Sequence, residues 1–146
     1  MVSQEKIDRF INAFTGLTKI FANIESYHKD QNLTKYELFA LEVSYKEKEL
    51  TMSQIAKNLG VSMSTATGIV DKIVEQDLAK RERNSGDRRV VKVKLTEKGK
   101  KIALDLNKQS QNWAKMLLSL LTPEEQDSII LILEKVSKII NGGKSK

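Results

Sequence analysis

Two adjacent arginines, Arg88 and Arg89, follow the turn-forming residues 84–87 and are the side chains best suited to binding chemistry in this sequence. Guanidinium groups make bidentate, charge-assisted hydrogen bonds with phosphate and carboxylate oxygens, so the pair marks a candidate anion-binding site. We expect Asp87 to orient one guanidinium by accepting such a bond. A second polar group lies upstream in residues 62–67, where serine and threonine hydroxyls can donate and accept over a short reach.

Positive charge is concentrated around the arginine pair. The 146 residues carry a net charge of +6, and residues 78–100 contain nine lysines or arginines against three acids, so this segment holds the whole excess. A charge run is usually a solvated face, and that interpretation stays open for the run taken alone. Two arginines directly after a turn are poorly explained by solubility, and they favour a polyanionic partner.

Composition excludes several other classes of function. The chain has no cysteine, which rules out disulfides, thiolate metal sites and cysteine-based redox sensing. We find no glycine-rich phosphate loop, no nucleophile beside a base and no carboxylate pair, so we expect neither an enzyme nor a cofactor. His28 is the only histidine, and with Glu25 it offers at most a weak metal contact, so no metal site is predicted. No apolar run is long enough to span a membrane and the amino terminus does not resemble a signal peptide, so we expect a cytoplasmic protein without a membrane partner.

Hydrophobic periodicity predicts the elements that must position these groups. Apolar residues recur every three or four positions in six predicted helices, which cover residues 5–28, 34–43, 51–59, 62–76, 97–121 and 123–140. Capping boxes at Thr34, Thr51 and Thr122 mark helix starts, and Gly60 is suited to end the third helix. The fourth helix begins at Ser62 without a Glu or Gln at its third position, which leaves the positive end of its dipole free for an external anion.

Beyond Leu78 the apolar period changes from 3.6 to 2. Val91, Val93 and Leu95 alternate with lysines, which predicts a strand with a basic outer face, and residues 79–83 are its expected antiparallel partner. The two strands would form a hairpin with the arginines near its tip. The predicted fold class is mainly α with a small β-hairpin wing (α+β), a winged helix-turn-helix core flanked by N- and C-terminal dimerisation helices.

The order helix, turn, helix and basic hairpin is suited to reading duplex DNA. The second helix can enter the major groove, while the hairpin arginines reach the adjacent minor groove. The predicted contacts of this recognition helix are Ser62, Met63, Ser64, Thr65, Thr67, Gly68 and Lys72. Those of the wing are Arg83, Asp87, Arg88 and Arg89. Plain helix capping is the alternative role of the serines and threonines.

The long terminal helices carry more apolar surface than one reading head needs. Two copies could bury it together and place two reading heads about 34 Å apart on a palindromic site, although packing within one chain is the alternative. The predicted dimer contacts are Ile7, Phe10, Ile11, Phe14, Trp113, Leu117, Leu121, Ile129, Leu133 and Val136. The expected domains are a dimerisation helix (1–31), a DNA-binding domain (32–100), C-terminal dimerisation helices (101–141) and a disordered tail (142–146).

Residues 61–99 resemble the recognition helix, wing and return strand of the MarR family of bacterial transcriptional regulators, and the resemblance extends over nearly the whole chain. The family signature Asp-x-Arg … Leu-Thr-x-x-Gly is matched by Asp87, Arg89, Leu95, Thr96 and Gly99. The resemblance implies a homodimer that binds palindromic double-stranded DNA, usually represses, and is released by a small organic effector. It also implies that Arg89 is the minor-groove arginine and Asp87 its partner.

Gly68 departs from the family pattern, because many members carry an arginine or another polar side chain there. Glycine costs about 1 kcal/mol in a helix interior, and close approach to the backbone and packing are both open as reasons for it. The alternative function keeps the winged helix but uses it as a protein-interaction module, in which the hairpin meets an acidic protein surface.

Overall fold

The computed structural model describes residues 1–25 and 32–142, which fall into two compact units divided between Lys35 and Tyr36. The first unit contains helix α1 (Gln4–Glu25). The rings of Phe10 and Phe14 stack on its exposed surface with their centroids 5.9 Å apart. The predicted end of this helix at His28 and residues 143–146 of the predicted tail lie outside the described residues.

The second unit combines helices with a small antiparallel sheet. Its elements in chain order are α2 (Lys35–Glu47), β1 (Glu49–Thr51), α3 (Met52–Leu59), α4 (Met63–Glu75), β2 (Ala79–Arg83), β3 (Val91–Leu95), α5 (Glu97–Ser119) and α6 (Pro123–Gly142). The largest fully buried side chains in its core are Leu41, Ile55, Val70, Ile73, Leu78 and Val93. The predicted fold class is confirmed, and α5 continues without a break through residues 100 and 101, where we expected a domain boundary.

Helices α3 and α4 form a pair whose ends are fixed by their own sequence. The Thr51 hydroxyl accepts from the backbone N–H of Gln54, and the Gln54 side chain accepts from the N–H of Thr51, which is the predicted capping box. Gly60 ends α3 with φ 65° and ψ 33°, a left-handed conformation that glycine adopts without a steric penalty. The chain can therefore turn within a few residues and start α4 at Ser62.

The sheet has three strands in the order β1-β3-β2, where the sequence predicted only the β2–β3 hairpin. Strand β1 was missed. Its Leu50 lies opposite Val93 of β3 and is buried with it, because cross-strand partners share a face of the sheet. Strand β1 therefore connects the wing strand β3 to the start of the helix pair, because α3 begins directly after β1.

A tight junction connects the end of α4, the start of β2 and the start of α5. The Thr96 hydroxyl accepts from the backbone N–H of Gly99 (3.1 Å) and donates to the carbonyl of Asp77 (2.6 Å). A β-carbon on Gly99 would lie 1.9 Å from the carbonyl oxygen of Leu78, so only glycine fits there without movement of the backbone. The signature residues Thr96 and Gly99 thus hold the base of the wing against α5.

Helix α6 exposes most of its apolar side chains. All residues from Leu131 to Ile140 are exposed, and Leu131, Leu133 and Ile139 retain 61 to 67% of their accessible surface. Thr122 and Glu125 form the predicted capping box at its start. None of the helices in the described ranges is long and apolar enough to cross a lipid bilayer.

Candidate nucleic-acid interface

The first turn of α4 is capped from within and still exposes polar groups. The Ser62 hydroxyl accepts from the backbone N–H of Thr65 at 3.1 Å and lies 2.9 Å from the Thr65 hydroxyl. The Thr67 hydroxyl donates to the carbonyl of Met63 at 2.9 Å. Ser64 is exposed, and its hydroxyl has no hydrogen-bond partner in the described part of the chain. Capping and an outward-facing polar surface therefore coexist in this turn.

The exposed face of α4 continues from Ser64 through Gly68 to Lys72, which are spaced one helical turn apart. A β-carbon on Gly68 would meet no atom within 4 Å, so packing within the chain is not the reason for glycine. The ammonium group of Lys72 lies 3.6 Å from the carboxylate of Glu75, and both side chains are more than half exposed. An ion pair of this kind is weak, which leaves Lys72 able to exchange Glu75 for another anion.

The outer face of the sheet carries the predicted lysines in a network of ion pairs, with three lysines against two glutamates. The ammonium of Lys92 donates to Glu49 at 2.6 Å. Lys94 lies 3.5 Å from Glu49 and 2.7 Å from Glu82, and Lys80 lies 3.2 Å from Glu82. Strand β1 supplies Glu49, so the strand that was missed also contributes one of the two carboxylates that pair with these lysines.

The ionisation of this network follows from its hydrogen bonds. The bond from Lys92 lowers the pKa of Glu49, and the bond from Lys94 lowers the pKa of Glu82. The same bond to Glu82 raises the pKa of Lys94 above its usual range. These pKa shifts favour the charged forms of Glu49, Glu82 and Lys94.

The opposite face of β2 points toward the recognition helix. Side chains alternate along a strand, so Ala79, Arg81 and Arg83 share one face. Ala79 is buried, and the guanidinium of Arg81 makes an ion pair with Asp71 of α4. Arg83 is exposed at the end of this face. The wing and the recognition helix are thus connected by a side-chain bridge as well as by the chain.

The wing tip is held by short-range hydrogen bonds to the backbone. The Asn84 side chain accepts from the N–H of Gly86 at 3.0 Å, and the Val90 N–H donates to the carbonyl of Asp87 at 3.0 Å. The Asp87 carboxylate accepts from the backbone N–H of Arg89 at 3.0 Å. This contact differs from the bond to a guanidinium that we expected, because an aspartate easily reaches the amide two residues on. Asp87 shapes the turn and leaves both guanidiniums projecting.

Partners distinguish the wing-tip arginines from the other cations of residues 78–100. Lys80, Arg81, Lys92, Lys94 and Lys100 each lie in an ion pair, and Lys98 donates to the carbonyl of Gln76. Arg83, Arg88 and Arg89 are exposed, and their guanidiniums have no partner among residues 1–25 and 32–142. The three unpartnered cations of this segment therefore lie at the wing tip. Arg83 is the last residue of β2, and Arg88 and Arg89 belong to the turn that follows it.

The residues predicted to form a dimer interface fall into two groups by exposure. Six are exposed, on α1 and α6, namely Ile7, Phe10, Ile11, Phe14, Leu133 and Val136. Four are half-buried on α5, α6 and the loop between them, namely Trp113, Leu117, Leu121 and Ile129. No group of three or more potential metal ligands occurs in the described ranges, and His28 lies outside them.

A helix pair, α3 and α4, that packs against a three-stranded sheet with a projecting β2–β3 hairpin defines a winged helix-turn-helix protein. Residues 22–106 match the family described as Transcriptional regulator SarA/Rot. The chain belongs to this family of transcriptional regulators, which confirms the expectation that it is a regulator and not an enzyme.

Individual proteins agree with this assignment. The HTH-type transcriptional regulator YfiV of Bacillus subtilis is 35% identical over 97 residues, which are 66% of this chain and 61% of YfiV, so the match spans less than two thirds of that relative. FabT of Streptococcus pneumoniae, solved in complex with DNA, has the same fold, with a TM-score of 0.84 at 20% identity over 97% of this chain and 100% of FabT. A MarR family transcriptional regulator from Silicibacter pomeroyi is 25% identical with a TM-score of 0.75, over 99% of this chain and 96% of that one. The resemblance to the MarR family is thereby confirmed.

Proposed function

We propose that this regulator binds double-stranded DNA sequence-specifically, as a homodimer on a palindromic promoter site, and acts as a repressor. In this proposal α4 lies in the major groove, where Ser64, Thr65 and Thr67 meet base edges. The dipole of α4 and the amides of its first turn hold a phosphate near Ser62, Met63 adds apolar contact with thymine methyl groups, and Lys72 binds the backbone.

The observation that carries the proposal is the set of unpartnered guanidiniums at the wing tip. Exposed ion pairs gain little, but an arginine inserted in a narrow minor groove meets a strong negative potential. Arg83, Arg88 and Arg89 are the cations of the segment available for that role, and the Asp87 bond to the backbone restricts the turn that carries two of them. A turn ordered before binding loses less conformational entropy in the complex.

The exposed apolar side chains of α1 and α6 support the homodimer. Monomeric proteins rarely expose several large apolar side chains along one helix, whereas subunit interfaces bury them. A twofold dimer presents two copies of α4 and of the wing, which explains why an inverted repeat would be the preferred site.

The release of DNA by a small organic effector is a further part of the proposal. Tyr36 and Phe39 of α2 are each about half exposed and offer aromatic contact for such a compound. A repressor of this kind acts where the chromosome is, so we place its action in the cytoplasm.

The decisive experiment is selection of bound sites from a library of random duplexes at moderate salt. We expect an inverted repeat to be enriched. Log affinity for that site should then fall linearly with log salt, with a slope near one per neutralised phosphate. Failure to enrich any duplex motif would overturn the proposal and favour the protein-interaction module.

Matched substitutions in the protein test the wing, and the affinity of each variant for the enriched DNA site is measured. Arg89→Ala should weaken binding to that site by at least about 10-fold. Lys80→Ala removes the same charge from the outer face of β2, where Lys80 is paired with Glu82, and should change the affinity much less. Equal effects of the two substitutions would mean that net charge, and not the wing tip, determines binding.

A further inference from the structure

Gly68 occupies a position where glycine has no use within the chain. It lies in the interior of α4, has no unusual positive φ, and a β-carbon there would meet no atom within 4 Å. Alanine would fit without strain and would favour the helix, because it restricts the unfolded chain. The reason for glycine therefore lies outside the folded chain.

The exposed side chains around Gly68 on α4 are short. Ser64 lies one turn earlier and Thr67 directly before it, and the Thr67 hydroxyl is drawn back onto the carbonyl of Met63. Asp71, almost one turn later, pairs with Arg81 of the wing strand. Between Met63 and Asp71, no exposed side chain of α4 is longer than that of threonine.

We propose that Gly68 sets how deeply α4 enters the major groove, an inference that rests on the proposed function. A serine or threonine hydroxyl is only two bonds from its α-carbon, so it reaches a base edge only where the helix backbone itself lies close to the groove floor. A side chain at the centre of the same face would hold the backbone away. Gly68 removes this obstacle, and Ser64 and Thr67 then read the bases at short range.

This proposal predicts opposite changes in stability and in specific affinity. Gly68→Ala should raise the melting temperature by about 2–4 °C. It should also weaken binding to the enriched inverted repeat by at least about 5-fold, while binding to unrelated duplex, which depends on phosphate contacts, stays unchanged. Gly68→Leu should raise the melting temperature comparably and weaken specific binding further, because leucine also favours helices but is larger.

Gly16→Ala provides a matched control. Gly16 also lies inside a helix, α1, and its added β-carbon also meets no atom within 4 Å. Its substitution should raise the melting temperature by a similar amount and leave the affinity for DNA unchanged. A loss of affinity in both variants would overturn the proposal that Gly68 sets how deeply α4 enters the major groove.

The remaining outcomes separate this inference from the proposed function. If the wild-type protein binds its enriched site and Gly68→Ala binds it equally tightly, the inference fails and the function stands. If Gly68→Ala lowers the melting temperature, glycine is required by the fold and the inference fails. If the wild-type protein enriches no duplex, both fail.

Discussion

Arg81 of the wing strand forms an ion pair with Asp71 of the recognition helix. The two side chains retain 33% and 49% of their accessible surface, so water and salt compete for both. Exposed pairs contribute at most about 1 kcal/mol to folding. We therefore expect this pair to matter less for stability than for position. It connects strand β2, which leads to the wing tip, with the helix α4 that we propose to read DNA.

Asp71→Asn separates geometry from charge. Removing a negative charge from a DNA-binding face strengthens binding by electrostatics alone, whereas loss of the bridge to Arg81 lets the wing move and weakens it. We expect about 5-fold weaker binding to the enriched inverted repeat at constant salt, with little change in melting temperature.

The reciprocal exchange of charges is the control for this pair. Asp71→Arg combined with Arg81→Asp keeps the net charge and can restore the ion pair in reverse, so it should recover part of the affinity lost by either single substitution. Tighter binding by Asp71→Asn than by the wild type would contradict a positioning role.

Gly99→Ala should destabilise the fold severely. The new β-carbon would lie 1.9 Å from the carbonyl oxygen of Leu78, and backbone must move to relieve the overlap. Overpacking of this kind costs about 2–3 kcal/mol, which chemical denaturation would measure.

Gly86→Ala is the matched control for that substitution. Its β-carbon would meet only the side-chain oxygen of Asn84, at an ordinary contact distance of 3.7 Å, so the free energy of unfolding should change by less than about 1 kcal/mol. Similar losses in both variants would mean that the contact of Gly99 with Leu78 is not the cause.

Local sequence signals predicted most of the fold. The caps at Thr51, Ser62 and Thr122, and the stop at Gly60, involve partners within a few residues, so their chemistry is visible in the sequence itself. The same holds for the β2–β3 hairpin, whose alternation spans five residues in each strand.

Contacts between distant residues account for what the sequence did not reveal. Strand β1 has only three residues, too few to show a period of two, and its Glu49 pairs with Lys92, 43 positions away. The ion pairs of the β3 lysines were not predicted for this reason, since one of the two carboxylates that pair with them belongs to a strand that the sequence did not reveal. The bridge between Asp71 and Arg81 was missed because it depends on how α4 packs against β2.

The network of Glu49, Glu82 and Lys94 predicts stability that changes at both ends of the pH scale. The pKa of each glutamate is lowered from its ordinary value of 4.5, so its contribution is present above that pH and is lost as the pH falls through the folded-state pKa. The pKa of Lys94 is raised from 10.5, so its contribution is present below that pH and is lost as the pH rises through the folded-state pKa.

Thermal melts between pH 7 and pH 3 test the acid side of this prediction. The double variant Glu49→Gln with Glu82→Gln should melt at a lower temperature at pH 7 and lose less stability on acidification than the wild type. Glu97→Gln is the control, because Glu97 pairs with Lys100 outside the sheet and is 91% exposed. An unchanged slope in the double variant would show that the network does not contribute to folding.

Leu133→Glu should convert the proposed dimer into monomers. Leu133 is 61% exposed on α6, and a twofold interface would bury it twice. Burial of one leucine contributes about 1.5–3 kcal/mol, so the paired loss should raise the dimer dissociation constant by at least about 100-fold. Sedimentation velocity would measure the shift.

Lys135→Glu introduces a carboxylate two residues away, at an exposed polar position of the same helix, and should leave the assembly intact. Because a monomer has one reading head, Leu133→Glu should lose far more affinity for the full inverted repeat than for an isolated half-site. A wild-type protein that sediments as a monomer at all concentrations would leave the apolar surface of α6 without the partner proposed for it.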